Sequence, residues 1–163
     1  MTTPTRLIFA TNAYAAKRDI IAALRAAKVA GSALADALIS YSDPGVFAEG
    51  QMIYGGGIVF EQPGEEDLVD GDDILVHEVA VLGLHIRVEQ SPLPDGLQDP
   101  VEVTDEIAEG LGDEVARLLA ANRHLAGGMS ISRIVGGQCD HNLTDTAAVS
   151  VLTLRISIEA DLI

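Results

Sequence analysis

The sequence predicts an α/β domain of the α+β kind: a mainly antiparallel or mixed β-sheet with helices packed on one face. Three observations carry this. The stretch "LGLHIRVEQ" (residues 82–90) and its near copy "LTLRISIEA" (residues 152–160) both alternate apolar and polar side chains, the period of a half-buried strand. An Ala-rich run near the start and a second run after residue 100 instead repeat apolar residues every three to four positions, the period of a helix. Turn-rich, Gly- and Pro-containing segments separate these runs.

In chain order, "YAAKRDIIAALRAAKV" (Tyr14–Val29) predicts a helix with Ile20, Ile21 and Leu24 on its buried stripe, stopped at Gly31. Residues 33–40 fit a short helix or a strand leading into an Asp43-Pro44-Gly45 turn. "QMIYGGGIVFE" (Gln51–Glu61) has strand composition broken by Gly55–Gly57, which fits a bulge or a hairpin turn. No Lys-Ser or Lys-Thr follows those glycines, so they do not make a phosphate loop. The acidic segment 61–73, "EQPGEEDLVDGDD", reads as a flexible exposed loop and does not complete a calcium-loop pattern.

From Ile74 to Glu89 the pattern is extended. Val76, Ala80, Leu82, Leu84, Ile86 and Val88 share one face, His77, Val79, Val81, His85, Arg87 and Glu89 the other, and Glu78 interrupts the apolar side. After "SPLPDGLQDP", Val101–Leu119 is the main helix, with Thr104 as N-cap and Ile107, Leu111, Val115, Leu118 and Leu119 as its apolar stripe. Gly110 and Gly112 weaken its middle while permitting close packing, and Gly127-Gly128 is the expected terminator. "MSISRIV" (Met129–Val135) is a strand, and Val149–Asp161 is the clearest strand of all, with Leu152, Leu154, Ile156, Ile158 and Ala160 on one side. The twin segments are expected to lie in one antiparallel sheet whose apolar face the main helix covers.

The 163 residues are expected to make one domain. Formal charge is −15, and from Asp43 to Glu109 there are 17 acids against the single base Arg87, whereas bases predominate in the first 35 residues. That balance opposes nonspecific nucleic-acid binding and allows an acidic patch of one copy to face a basic patch of another. No window is long and apolar enough for a membrane span, and the start "MTTPTRLIFATNAYAAKR" lacks the apolar run of a secretory signal.

Chemistry is sparse. His77 and His85 share a strand face but stand roughly 25 Å apart at strand rise, too far to share a metal. Cys139-Asp140-His141, with Asp145 beyond, could ligate zinc or pair a thiol with a base if the segment folded back; the simpler reading is a polar loop between strands. Ser130, Ser132 and Ser150 suit sheet surfaces, with no nucleophile-elbow sequence around them. No catalytic residue, cofactor site or metal site is assigned.

The order of elements, together with "VAVLGLHIRVE", the helix with its following "LAANRHL" (residues 119–125), and the terminal "VLTLRISIEA", resembles the tail terminator, or tail completion, proteins of long-tailed bacteriophages. The resemblance covers most of residues 14–160 in layout. It implies a non-enzymatic virion protein, soluble in the host cytoplasm before assembly, that forms a homohexameric ring. Such a ring caps the tail tube, stops its growth and joins it to a head-completion or neck protein. It also implies a subunit or tube interface on the charged face carrying Arg87, Glu89, Arg155 and Glu159. A head-tail adaptor, a tail tube subunit and, from a different class, a small oligomeric enzyme using the Cys139/His141 segment are the alternatives.

Overall fold

The computed structural model describes residues 11–45, 50–62, 76–91, 93, 99–125 and 130–162. Two helices, α1 (Ala13–Ala27) and α2 (Pro100–Ala121), accompany six strands: β1 (Leu38–Ser40), β2 (Gln51–Gln62), β3 (Val76–Gln90), β4 (His124–Leu125), β5 (Ser130–Leu143) and β6 (Ala148–Leu162). They form one mixed sheet in the order β1-β2-β3-β6-β5-β4, antiparallel throughout except for β1 beside β2. The expected α+β architecture is therefore present, with both helices on one face.

The twin segments are direct neighbours. Leu82 stands opposite Ile156, Leu84 opposite Leu154 and Ile86 opposite Leu152, so their apolar alternations face the same way. Onto that face α1 lays Ala16, Ile20, Ile21 and Leu24, and α2 lays Ala108, Leu111, Val115 and Leu119, all buried in one core. Each fully buried Leu or Ile side chain contributes roughly 1.5–3 kcal/mol relative to exposure, so this layer dominates the stability of the fold.

Several local expectations are revised. The N-cap of α2 is Asp99, whose Oδ1 accepts from Val101 N at 2.9 Å, with Pro100 opening the helix; both residues read as linker in the sequence. Thr104 sits one turn inside, fully buried, with its hydroxyl 2.7 Å from Ser150 Oγ and 3.0 Å from Val101 O. The helix ends at Asn122, whose backbone N–H and side-chain amide donate to Leu118 O, rather than at Gly127-Gly128, which lie outside the described residues. Helix α1 likewise stops at Lys28, before Gly31.

Residues 33–37 form turns and 38–40 a strand, resolving that ambiguity in favour of β1. Strand β5 runs straight through Gly136-Gly137 and Cys139-Asp140-His141, so the expected polar loop is strand. The actual turn is made by Thr144, which exchanges hydrogen bonds with Ala147. Ser130 and Ser132 are buried on the core face of the sheet. The acidic segment falls mostly outside the described residues, beyond its first two positions in β2.

Glu78, the residue that broke the apolar pattern, is fully buried on the core face of β3. Its Oε1 accepts the backbone N–H of Asn12 at 3.0 Å, placing a carboxylate at the N-terminus of α1, which has no side-chain cap from Asn12 itself.

Candidate functional site

Two arrangements concentrate polar groups. The first is the sheet face turned away from the helices. Because opposed residues point the same way, Arg87 and Glu89 on β3 and Arg155 and Glu159 on β6 all lie on this face. The structure does not bring the four together. Arg87 binds Glu89 at 2.9 Å near one end of β3. Towards the other end, Arg155 stands 3.9 Å from Glu61 of β2, and Glu159 binds Arg133 of β5 at 3.1 Å. Sequence reasoning missed Glu61 and Arg133 as partners because only the sheet order places β2 and β5 beside these strands.

The same face carries His85, 2.9 Å from Thr153 Oγ1 and stacked at 5.0 Å on Tyr54, while His77 binds Asp161 at 2.8 Å at the far end of β3. Burial holds the His85 imidazole below its ordinary range, with Asp43 working against it. The two histidines thus have separate partners, as their spacing required.

Apolar side chains rim this face on both sides. Val59 on β2 is 64% exposed, and Ile131 and Val135 on β5 are 51% and 46% exposed. Among the described residues, each rim is only partly covered by a neighbouring strand. Strand β1 pairs with β2 at Met52–Tyr54, and the chain at β4 bonds β5 from Ser130 to Ser132, where Ser132 N–H donates to Arg123 O at 3.1 Å. Beyond these contacts, no other described strand lies along the outer side of β2 or β5.

The second arrangement lies on the helix side, where α2 begins. Cys139 and His141 alternate on the core-side face of β5, opposite Leu152 and Ser150 of β6. Asp105, in the first turns of α2, meets both: its Oδ1 is 3.7 Å from Cys139 Sγ and 3.5 Å from His141 Nδ1. Ser150 donates to the same oxygen at 2.5 Å. One ligand atom from each of Asp105, Cys139 and His141 lies within 4.8 Å of the others, so these three residues could hold a metal ion. Asp140 points to the opposite face and takes the side-chain amide of Gln138 instead.

The segment does not need to fold back to gather ligands. The third member comes from a helix 34 residues earlier, for which the sequence offers no local signal. Burial and the carboxylates of Asp105 and Asp140 push the Cys139 thiol up, which works against a thiolate nucleophile. A groove of about 440 Å³ runs from this group along α2, lined by Ala108, Gly112, Leu152 and Leu154.

Among the described residues, a curled six-stranded sheet with two helices on one face defines the fold. No family model and no curated protein matches the chain. Among solved structures, a chain described as "Virion of native gene transfer agent (GTA) particle" has a similar fold. The TM-score is 0.53 at 15% identity, over 91% of this chain and 97% of that one.

Proposed function

We propose that the chain is a structural component of a phage-like virion tail and, within it, a terminator subunit. Six copies would close into a ring on the tail tube, stop its growth and present a surface to the head-completion or neck protein. The observation that carries this reading is the nearly end-to-end fold likeness to a chain of a gene transfer agent virion. Among the described residues, the partly covered flanks of β2 and β5 lie on opposite sides of the sheet, each with an apolar rim. A head-to-tail contact between such flanks is heterologous, and heterologous contacts close into rings when the rotation between copies permits. Arg87, Glu89, Arg155 and Glu159 would then fix register and orientation across the seam or against the tube.

The reading requires no covalent chemistry. The test is the native mass of the purified protein at near-physiological salt and two protein concentrations, followed by mixing with tail tubes. A six-subunit mass and binding at tube ends are expected. A protein that stays monomeric both alone and with tubes overturns the proposal. Unlimited self-polymerisation would instead assign it as a tube subunit, and ring formation without tube-end capture as a head-tail adaptor.

A further inference from the structure

We propose that Asp105, Cys139 and His141 form a three-ligand site for a borderline-soft divalent cation, zinc foremost, that clamps the start of α2 to β5. The donor set is a carboxylate, a thiolate and an imidazole, the three side-chain types that zinc takes.

Geometry distinguishes this from a nucleophile with its base. In a catalytic series the base stands between nucleophile and acid. Here the carboxylate oxygen faces both the sulfur and the imidazole, a convergent arrangement around a common point. For tetrahedral zinc, with bonds of ~2.3 Å to sulfur and ~2.05 Å to nitrogen or oxygen, the ligand edges are about 3.5 Å for S···O and about 3.3 Å for N···O. The observed S···O and N···O separations are 3.7 and 3.5 Å, and the three ligand atoms all lie within 4.8 Å of one another, so an ion can enter as the sulfur and the imidazole adjust around the carboxylate oxygen.

The carboxylate is also held ready. Ser150, buried in β6, donates to Asp105 Oδ1, and buried Thr104 stands 2.7 Å behind it at Ser150 Oγ. Such hydrogen bonds fix a ligand's orientation before the ion arrives. The charge around the site agrees. Glu109 and Asp113 line the adjoining groove, and a dication bound here would itself draw the Cys139 sulfur into its thiolate form. Three protein ligands leave the fourth position to water, on the side where His141 and Asp105 are 51% and 39% exposed.

The experiment titrates metal-stripped protein with Co²⁺, read by absorption, and then displaces it with Zn²⁺. One equivalent is expected, with a thiolate-to-cobalt charge-transfer band and tetrahedral d–d bands that persist in excess Mg²⁺ at physiological salt. Cys139→Ser should abolish the charge-transfer band. His141→Ala and Asp105→Asn should each weaken binding at least ~10-fold, and Ser150→Ala about 10-fold through the loosened carboxylate. Asp140→Asn, on the other face, should leave it unchanged.

Absence of a stoichiometric complex in the folded wild-type protein overturns the proposal. So does a complex that is indifferent to Cys139→Ser and displaced by Mg²⁺, which would mark general cation binding by an acidic surface. Cys139 and His141 are exposed, so their variants remain folded and decide the matter, with circular dichroism as the check, even if Asp105→Asn does not fold.

Discussion

At the scale of residues, two of the three glycines of β2, Gly55 and Gly56, are explained by Lys17, the Tyr41 backbone and His85, while Gly57 faces open space. Lys17 of α1 is buried, crosses the ring of Tyr41 at 4.1 Å and donates to Gly56 O at 2.9 Å. A Cβ on Gly55 would stand 2.5 Å from both Lys17 Cε and the Tyr41 backbone oxygen, and one on Gly56 would meet the His85 ring at 2.6 Å. The backbone contact at Gly55 cannot yield as a side-chain tip can. Gly55→Ala is therefore expected to destabilise the fold by ~1–3 kcal/mol, measured as a lower denaturant midpoint at unchanged slope.

His85 makes a second prediction at this scale. Its folded-state pKa lies below the model-peptide 6.5, so between the two values the unfolded chain binds more protons and stability rises with pH. The contribution is whole above 6.5 and is lost as pH falls through that value towards the depressed one. His85→Gln should flatten this part of the melting-temperature profile; an unchanged slope would show that other groups set it. The sequence marked the glycines as a bulge or turn but could not name what they make room for. Glu78 likewise read as a break in a strand, because its partner, the start of α1, is 66 positions away.

At the scale of elements, the alternating strands and the helical stripes were legible because period 2 and period 3.6 are written locally. What escaped were ends and partners. Asp99-Pro100 looks like linker until the helix behind it is known, and Thr104 resembles a cap although its hydroxyl is spent on Ser150, 46 residues away. In the sequence Cys139 and His141 read as part of a polar loop, since the two glycines ahead of them look like the end of a strand. In fact the register shift between Ile134 and Gly136 absorbs the irregularity and the strand continues.

The two glycines of α2 separate propensity from packing. Gly110 faces open space, so Gly110→Ala should gain close to ~1 kcal/mol from helix propensity alone. Gly112 is buried, and a Cβ there would stand 2.8 Å from Leu152 Cδ2, which must move. Gly112→Ala is expected to keep little or none of that gain. Equal stabilisation of the two variants in urea unfolding would show that Leu152 relaxes freely and that α2 is not closely seated on β6.

At the scale of the whole molecule, charge decides how copies meet. The chain carries a formal charge of −15, and Arg87, Arg133 and Arg155 already have acidic partners within the chain. Turning the exposed Arg133 and Arg155 towards a neighbour exchanges one surface ion pair for another, a gain of at most ~1 kcal/mol each. Repulsion between like-charged subunits, in contrast, acts on every pair and depends on screening, whose length falls from ~30 Å at ~10 mM salt to ~8 Å at physiological strength. The apolar rims at Val59, Ile131 and Val135 gain from contact at either salt. If the ring closes through those rims, assembly should be weak at ~10 mM salt and strengthen towards physiological ionic strength, as read by sedimentation velocity. Ile131→Asp or Val59→Asp should return the protein to monomer under the favourable condition, while Arg155→Gln should shift the equilibrium little. The reverse pattern, with assembly strongest at low salt and abolished by Arg155→Gln, would place the seam on ion pairs between copies, because only an interface held by opposite charges weakens when salt is added.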